Sequence, residues 1–109
     1  MNIKSYWKSV ASIQDISPDT GTLRVVIDEE ALCLYNSNGI ICATQDKCPH
    51  GNANLSDGYL ENGTIECPLH QGVFDITTGK PICPPVTTDI KVYEVKVEGQ
   101  EILIRLDSK

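Results

Sequence analysis

No stretch of this 109-residue chain carries a sustained helical periodicity or an internal repeat. Nor does any approach the roughly 18 consecutive apolar residues of a membrane span. The opening residues, MNIKSYWKSVASIQDI, lack the apolar centre of a secretion signal, which sets the expectation of a soluble, cytoplasmic protein. A basic excess is missing too. With 9 Lys and Arg against 15 Asp and Glu the net charge is -6, so neither nucleic acid nor an anionic membrane would find the clustered positive face it needs. The acidic residues are spread over both halves and are expected to form an ordinary solvated surface, one that would suit a protein partner with a positive patch. There is no Ser/His/Asp set, no phosphate-binding glycine loop and no flavin-binding motif, so no catalytic residue is expected. A chain of this length has room for one modest core, and a single domain over 1–109, acting as a monomer, is expected.

Histidine is scarce as well, and its placement carries the first positive signal. Both histidines fall in CPHGNANLSDGYLENGTIECPLHQGVF, which begins at Cys48. The spacing is Cys48-x-His50, sixteen residues, then Cys67-x-x-His70, with Pro49 and Pro68 following the two cysteines. Each segment offers one thiolate and one imidazole, and chance is a poor account of a pattern that uses the whole histidine supply. Cys₂His₂ is also a zinc ligand set, so a structural zinc module stays open on the ligands alone. Zinc sites, however, pair like with like, as C-x₂₋₄-C and H-x₃₋₅-H, whereas here each segment is mixed. Mixed segments suit two metals better, with the cysteines on one and the histidines on the other.

The count of five cysteines is odd, and without an export signal a disulfide framework is not expected. Cys33 in ALCLY and Cys42 in IICAT sit among apolar residues and are expected to pack as small hydrophobes. Cys83, in PICPP, lies in a proline-rich segment that could approach the site.

The coarse pattern is of short strands separated by turn signals. TLRVVI over 22–27 is β-rich, and ALCLYNSNGIICA predicts a hairpin turning at 36–39, where Asn-Gly supplies the positive φ. GTIEC and GVFDITTGKPIC predict a second pair around 77–80. DIKVYEVKVEGQEILIRL predicts a hairpin turning at 98–100, with Ile102, Ile104 and Leu106 on one face. Its first strand changes parity between Val92 and Val95, and a bulge near Tyr93 and Glu94 would explain that. SIQDI has room for one helical turn before Ser17-Pro18. The fold class is all-β, a sandwich or barrel, with both Cys/His segments on loops or strand ends.

CPHG followed by CPLHQGVFD resembles the Rieske 2Fe-2S signature, in which two cysteines hold one iron and two histidines the other. The longer run DGYLENGTIECPLHQGVFDITTGKPICPPVTTDIKVY is similar to the small Rieske ferredoxins of bacterial aromatic-ring-hydroxylating dioxygenase systems, those of naphthalene dioxygenase above all. The likeness is strongest over 48–93 and weak before Leu32. It implies a Rieske fold, in which an antiparallel β-sandwich or barrel base carries an inserted cluster-binding subdomain at about 46–86. It also implies that Cys48 and Cys67 bind the inner iron, that His50 and His70 bind the outer iron, and that 81–86 covers a single 2Fe-2S cluster. Close relatives often have threonine where this chain has Pro49, which removes a hydroxyl and an N–H without touching ligation.

The partners implied are an NADH-dependent flavin ferredoxin reductase as donor and a terminal ring-hydroxylating oxygenase as acceptor. The catalytic subunit of such an oxygenase also needs a mononuclear iron on a two-histidine, one-carboxylate triad, and both histidines here are already used. The resemblance therefore implies an electron carrier and not an enzyme. The small Rieske-like subunit of nitrite reductase is the alternative. Two ferric ions, two sulfides and two thiolates sum to no net charge, which places Rieske potentials above those of four-thiolate clusters. Respiratory Rieske proteins add a disulfide, a serine and a tyrosine; the matching positions here are Ala53 and Leu69, Gly72 and Phe74. Fewer donors to the sulfurs imply the low end of the range, around -150 mV.

Overall fold

The computed structural model describes residues 4–49, 51–69, 72–83 and 88–108. Among them are eleven strands: β1 (Lys4–Ser12), β2 (Thr22–Ile27), β3 (Glu30–Ser37), β4 (Ile40–Gln45), β5 (Tyr59–Glu61), β6 (Thr64–Glu66), β7 (Val73–Asp75), β8 (Pro81–Cys83), β9 (Val92–Tyr93), β10 (Val95–Glu98) and β11 (Glu101–Ser108). They form three antiparallel sheets in the orders β1-β11-β10, β2-β3-β4-β9 and β5-β6-β7-β8. The all-β expectation is met, and no helix among the described residues is long and apolar enough to cross a membrane.

In the second sheet the strand β3 is buried on both faces, which is why its sequence is a continuous apolar run. Successive side chains on a strand point to opposite faces. Leu32 and Leu34 pack with Ile27, Ala43 and, from the first sheet, Ile102 and Ile104. Cys33 and Tyr35 pack on the other side with Ile65 and Phe74 from the third and with Ile76 just after it. All four β3 residues are buried, so ALCLY lacks the polar alternation of a half-exposed strand.

The third sheet is an insertion. β4 and β9 are neighbours, pairing Ala43 with Tyr93 and Thr44 with Val92. The chain therefore leaves the middle sheet after Gln45 and returns beside the place it left. Everything between, including both Cys/His segments, is hung from that one point.

The hairpin expected at 36–39 exists, but its strands run further, to Ser37 opposite Ile40, and the turn is Asn38-Gly39. Both have positive φ, 52° and 91°, the geometry of a two-residue type I′ connection. The carboxyl-terminal hairpin turns at Gly99 and Gln100, with Ile102 and Ile104 buried and Leu106 half-buried against the same core. The one helical turn that SIQDI has room for is a 3₁₀ turn over Ile13–Asp15.

The bulge expected near Tyr93 and Glu94 is instead a change of sheet. β9 belongs to the middle sheet and β10 to the first, with Glu94 between them giving its carbonyl to the Arg105 N–H at 3.1 Å. The parity flips because the apolar residues change cores: Ile90 packs toward the third sheet, and Tyr93 and Val95 toward the first.

Since β3 is the wall shared by both cores, trimming it should be costly. Leu34→Ala removes a fully buried side chain and should cost about 3 kcal/mol in urea denaturation, while exposed Val26→Ala on β2 should change stability by less than about 0.5 kcal/mol.

Candidate metal centre

Two loops carry the cysteine pair. The first runs from Asp46 to Gly58 between β4 and β5. Its neck is closed by the Asp46 N–H on the Ala31 carbonyl at 3.0 Å and by the Leu55 N–H on the Asp46 carbonyl at 2.6 Å. Inside the neck, Lys47 and Asn54 make an isolated bridge, and the Cys48 N–H donates to the Ala53 carbonyl at 2.9 Å. The second loop lies between β6 and β7, whose last pair is Glu66 with Val73, and it is shut by the Cys67 N–H on the Gly72 carbonyl at 2.8 Å. A short hairpin and a necked loop thus each present one cysteine from fixed backbone.

Both thiol side chains are fully buried, and both belong to the core that Cys33, Tyr35, Leu55, Ile65 and Phe74 build between the middle and third sheets. The fold therefore brings Cys48 and Cys67 into one apolar cluster. His50 and His70 lie outside the described residues, as do Pro84, Pro85 and Val86 of the proline segment; Cys83 ends β8, opposite Val73. Two soft sulfur donors meeting from two loops in an apolar site fit an iron–sulfur group, whose thiolates want exclusion of water and a fixed separation.

The remaining described cysteines are of another kind. Burial pushes the Cys33 thiol up to about 12, and burial and the Asp75 charge raise Cys42 as well. Both keep their protons at neutral pH and pack as expected. No disulfide joins any two of Cys33, Cys42 and Cys67.

Hydroxyl donors are also spoken for. Thr44 has one hydroxyl proton, and it goes to the Gln45 carbonyl at 2.7 Å. The 2.8 Å bond between Thr44 Oγ1 and the Tyr35 hydroxyl must then be donated by Tyr35. Burial holds that phenol well above its ordinary pKa, so it stays neutral with its proton committed to threonine. Phe74, packed against the cysteines, has no hydroxyl to offer.

The sequence reasoning passed over two charged residues. Asp46 is fully buried, and its carboxylate accepts the Arg24 Nε–H at 3.1 Å and the Ser56 N–H at 2.8 Å. The available signal was an aspartate two positions before Cys48, at the end of an apolar strand. Behind the second loop, Asp75 accepts from the Thr77 N–H and hydroxyl and from the Thr78 N–H, which lowers its carboxyl below the ordinary value. That turn ends at Gly79, φ 79°, where a side chain would collide with the Ile90 carbonyl oxygen. An open groove of about 840 Å³ lies elsewhere, between the first two sheets, lined by Tyr6, Glu30, Tyr93 and Arg105 and by neither cysteine.

Residues 6–104 match the family described as the Rieske [2Fe-2S] domain, and the chain belongs to that family. Its cofactor is one Rieske-type 2Fe-2S cluster. Among named relatives, the chain is 47% identical to the ferredoxin component of the naphthalene 1,2-dioxygenase system of Pseudomonas aeruginosa, covering 92% of this chain and 95% of that one. The Sphingomonas yanoikuyae B1 ferredoxin superposes with a TM-score of 0.83 at 35% identity, over 91% of this chain and 97% of that one. A solved complex of reduced oxygenase and oxidized ferredoxin in carbazole 1,9a-dioxygenase matches with a TM-score of 0.79 at 37% identity, over 90% of this chain and 91% of that one.

The raised Cys33 thiol has a direct check. At pH 8 iodoacetamide should leave Cys33 unmodified in the native protein and alkylate it only after denaturation, as read by mass spectrometry of the peptides. Native-state labelling of Cys33 would show that its burial is breached.

Proposed function

We propose that the protein is a one-electron carrier, taking electrons from an NADH-dependent flavin ferredoxin reductase and passing them to a terminal aromatic-ring-hydroxylating oxygenase. The observation that carries this reading is the meeting of two buried thiols, from two rigid loops, in a chain 47% identical to a dioxygenase-system ferredoxin over nearly its whole length. Cys48 and Cys67 would hold the inner iron, and His50 and His70 the outer. The whole chain, 1–109, would be one Rieske domain with its cluster-binding subdomain at about 46–86, the segment hung between β4 and β9. The protein would work in the cytoplasm as a monomer, with no nucleic acid or membrane as partner; the net charge of -6 supports that exclusion. The same identity favours the dioxygenase carrier over a nitrite reductase subunit.

The cluster supplies one-electron redox chemistry at a modest potential. The chain's own residues do the rest. Ile65, Phe74 and Leu55 keep water from the sulfur side, and the two loop closures hold the cysteines where neither has to move on electron transfer. Pro49, one position after Cys48, and Leu69, two after Cys67, are exposed, and Leu69 is 61% so. An exposed leucine at the tip of a metal-bearing loop supports a small apolar docking face, below about 1,200 Å² in total, from which a partner can leave quickly.

Ligation is tested by four variants. Cys48→Ser and His70→Ala should lose bound iron, sulfide and the EPR signal of the reduced protein, while Cys33→Ser and Cys42→Ser should retain all three at some cost in packing. A normal rhombic signal in His70→Ala would sink the assignment, and a colourless wild-type protein binding only zinc would replace it with a structural module.

Docking is tested separately. Leu69→Asp should slow both stopped-flow reduction by the reductase and single-turnover oxidation by the oxygenase, with an unchanged cluster spectrum. Loss of one transfer alone would mean separate entry and exit faces, and unchanged rates in both would refute this face.

A further inference from the structure

Asp46 is the only fully buried carboxylate among the described residues, and it sits where the chain leaves the middle sheet for the first cysteine loop. Burying a carboxylate costs several kcal/mol of lost hydration, and a pair with a half-exposed arginine returns only part of that. Stability alone is therefore a weak account of an aspartate here. Its four bonds are more informative. Its N–H is tied to Ala31 of β3, its carbonyl to the Leu55 N–H, Oδ1 to the Ser56 N–H and Oδ2 to Arg24 Nε on β2. Thr22, also on β2, adds its hydroxyl to the Ser56 carbonyl at 2.9 Å. The two ends of 46–56 are thus clamped to each other and to two neighbouring strands. Cys48 lies inside that clamp, with its own N–H tied to Ala53.

The geometry points to Arg24 and Asp46 as positioning residues that hold the first cysteine loop in its cluster-bearing shape and fix a balanced pair of charges beside it. The inference rests on the reading of Cys48 as a ligand. It adds that the charges act in opposite directions on the midpoint potential. Reduction places one more negative charge on the cluster, so an unopposed carboxylate two residues from Cys48 disfavours it and an unopposed guanidinium favours it. Arg24→Gln leaves the buried carboxylate uncompensated and lowers the potential. Asp46→Asn keeps a carbonyl oxygen for the Ser56 N–H but removes the negative charge, and raises the potential.

The test uses the full-length, cluster-loaded protein. Hydrogen exchange followed by mass spectrometry should show the peptide covering 46–56 exchanging about tenfold faster in either variant, the ratio for loss of one buried charged hydrogen bond. Peptides from β1 and β11 should be unchanged. Voltammetry should show the potentials moving apart, lower for Arg24→Gln and higher for Asp46→Asn, and the double variant returning toward wild type while its loop still exchanges fast. Unchanged exchange of 46–56 in both variants would overturn the clamp, and potential shifts of one sign, or none, would overturn the charge balance. Asp46→Asn removes the buried charge instead of stranding it, so this variant should fold even where Arg24→Gln does not, and it suffices for the exchange result. Exchange is compared at equal cluster occupancy in all proteins, and a wrong ligand assignment would show separately as cluster retention in Cys48→Ser.

Discussion

Everything in this fold leans on a single strand being buried on both sides. β3 gives Leu32 and Leu34 to one core and Cys33 and Tyr35 to the other, so the base and the inserted sheet share a wall and cannot loosen independently. A two-sheet sandwich needs one buried face per sheet, whereas the eleven strands among the described residues make three layers by using both faces of β3. The third sheet is small, with three-residue strands, and such a sheet is marginal unless it packs on something larger. The wall supplies that support. The first cysteine loop is tied to that wall through the Asp46 N–H on Ala31, and the second is closed on itself by the Cys67 N–H on Gly72, at the end of two strands of the third sheet.

Rigidity matters because the chemistry is a change of charge with little change of shape. A carrier that rearranged on each electron would add its reorganisation to every transfer. Here the sulfur donors sit in an apolar core whose polar atoms are committed beforehand: the Tyr35 proton to Thr44, the Thr44 proton to Gln45 and the Asp46 oxygens to Arg24 and Ser56. No buried side-chain nitrogen or oxygen among the described residues lacks a partner. A core with no loose dipoles has little to reorient when the charge arrives.

What could be read from the sequence was whatever local chemistry announces. The paired Cys/His segments, the Asn-Gly turn at 38–39 and the alternation of Ile102 and Ile104 are local patterns, and each is found where the described residues reach it. The turn between β2 and β3 was invisible because Asp28 and Glu29 both take positive φ, 50° and 71°, without a glycine to signal it. β1 was missed because KSYWKSVAS is mostly exposed and owes its strand to pairing with β11, at the far end of the chain. β5 is three residues long and exists only as the partner of β6. The change of sheet at Glu94 looked like a bulge because both flip parity, and only the position of the two cores separates them. Asp46 was illegible for a related reason: a lone aspartate reads as surface until its burial is known.

The distribution of charge joins the fold to the proposed role. The chain holds 24 Lys, Arg, Asp and Glu residues, yet 48–56, 67–74 and 81–88, the two cysteine loops and the proline segment, contain none. Charge begins again immediately outside, at Lys47, Asp57, Glu66, Asp75, Lys80 and Asp89. An uncharged sequence around the cysteines has two consequences for a carrier. It leaves the potential to be shaped by fixed charges outside those segments, and of these the Arg24 and Asp46 pair, whose carboxylate is fully buried, is screened less by salt than the surface carboxylates are. It also lets a partner approach without exchanging ion pairs, so contact at Pro49 and Leu69 can be brief, while the acidic remainder of the surface keeps carriers from adhering to one another. Affinity from area and not from charge is what a protein that must let go after every electron requires.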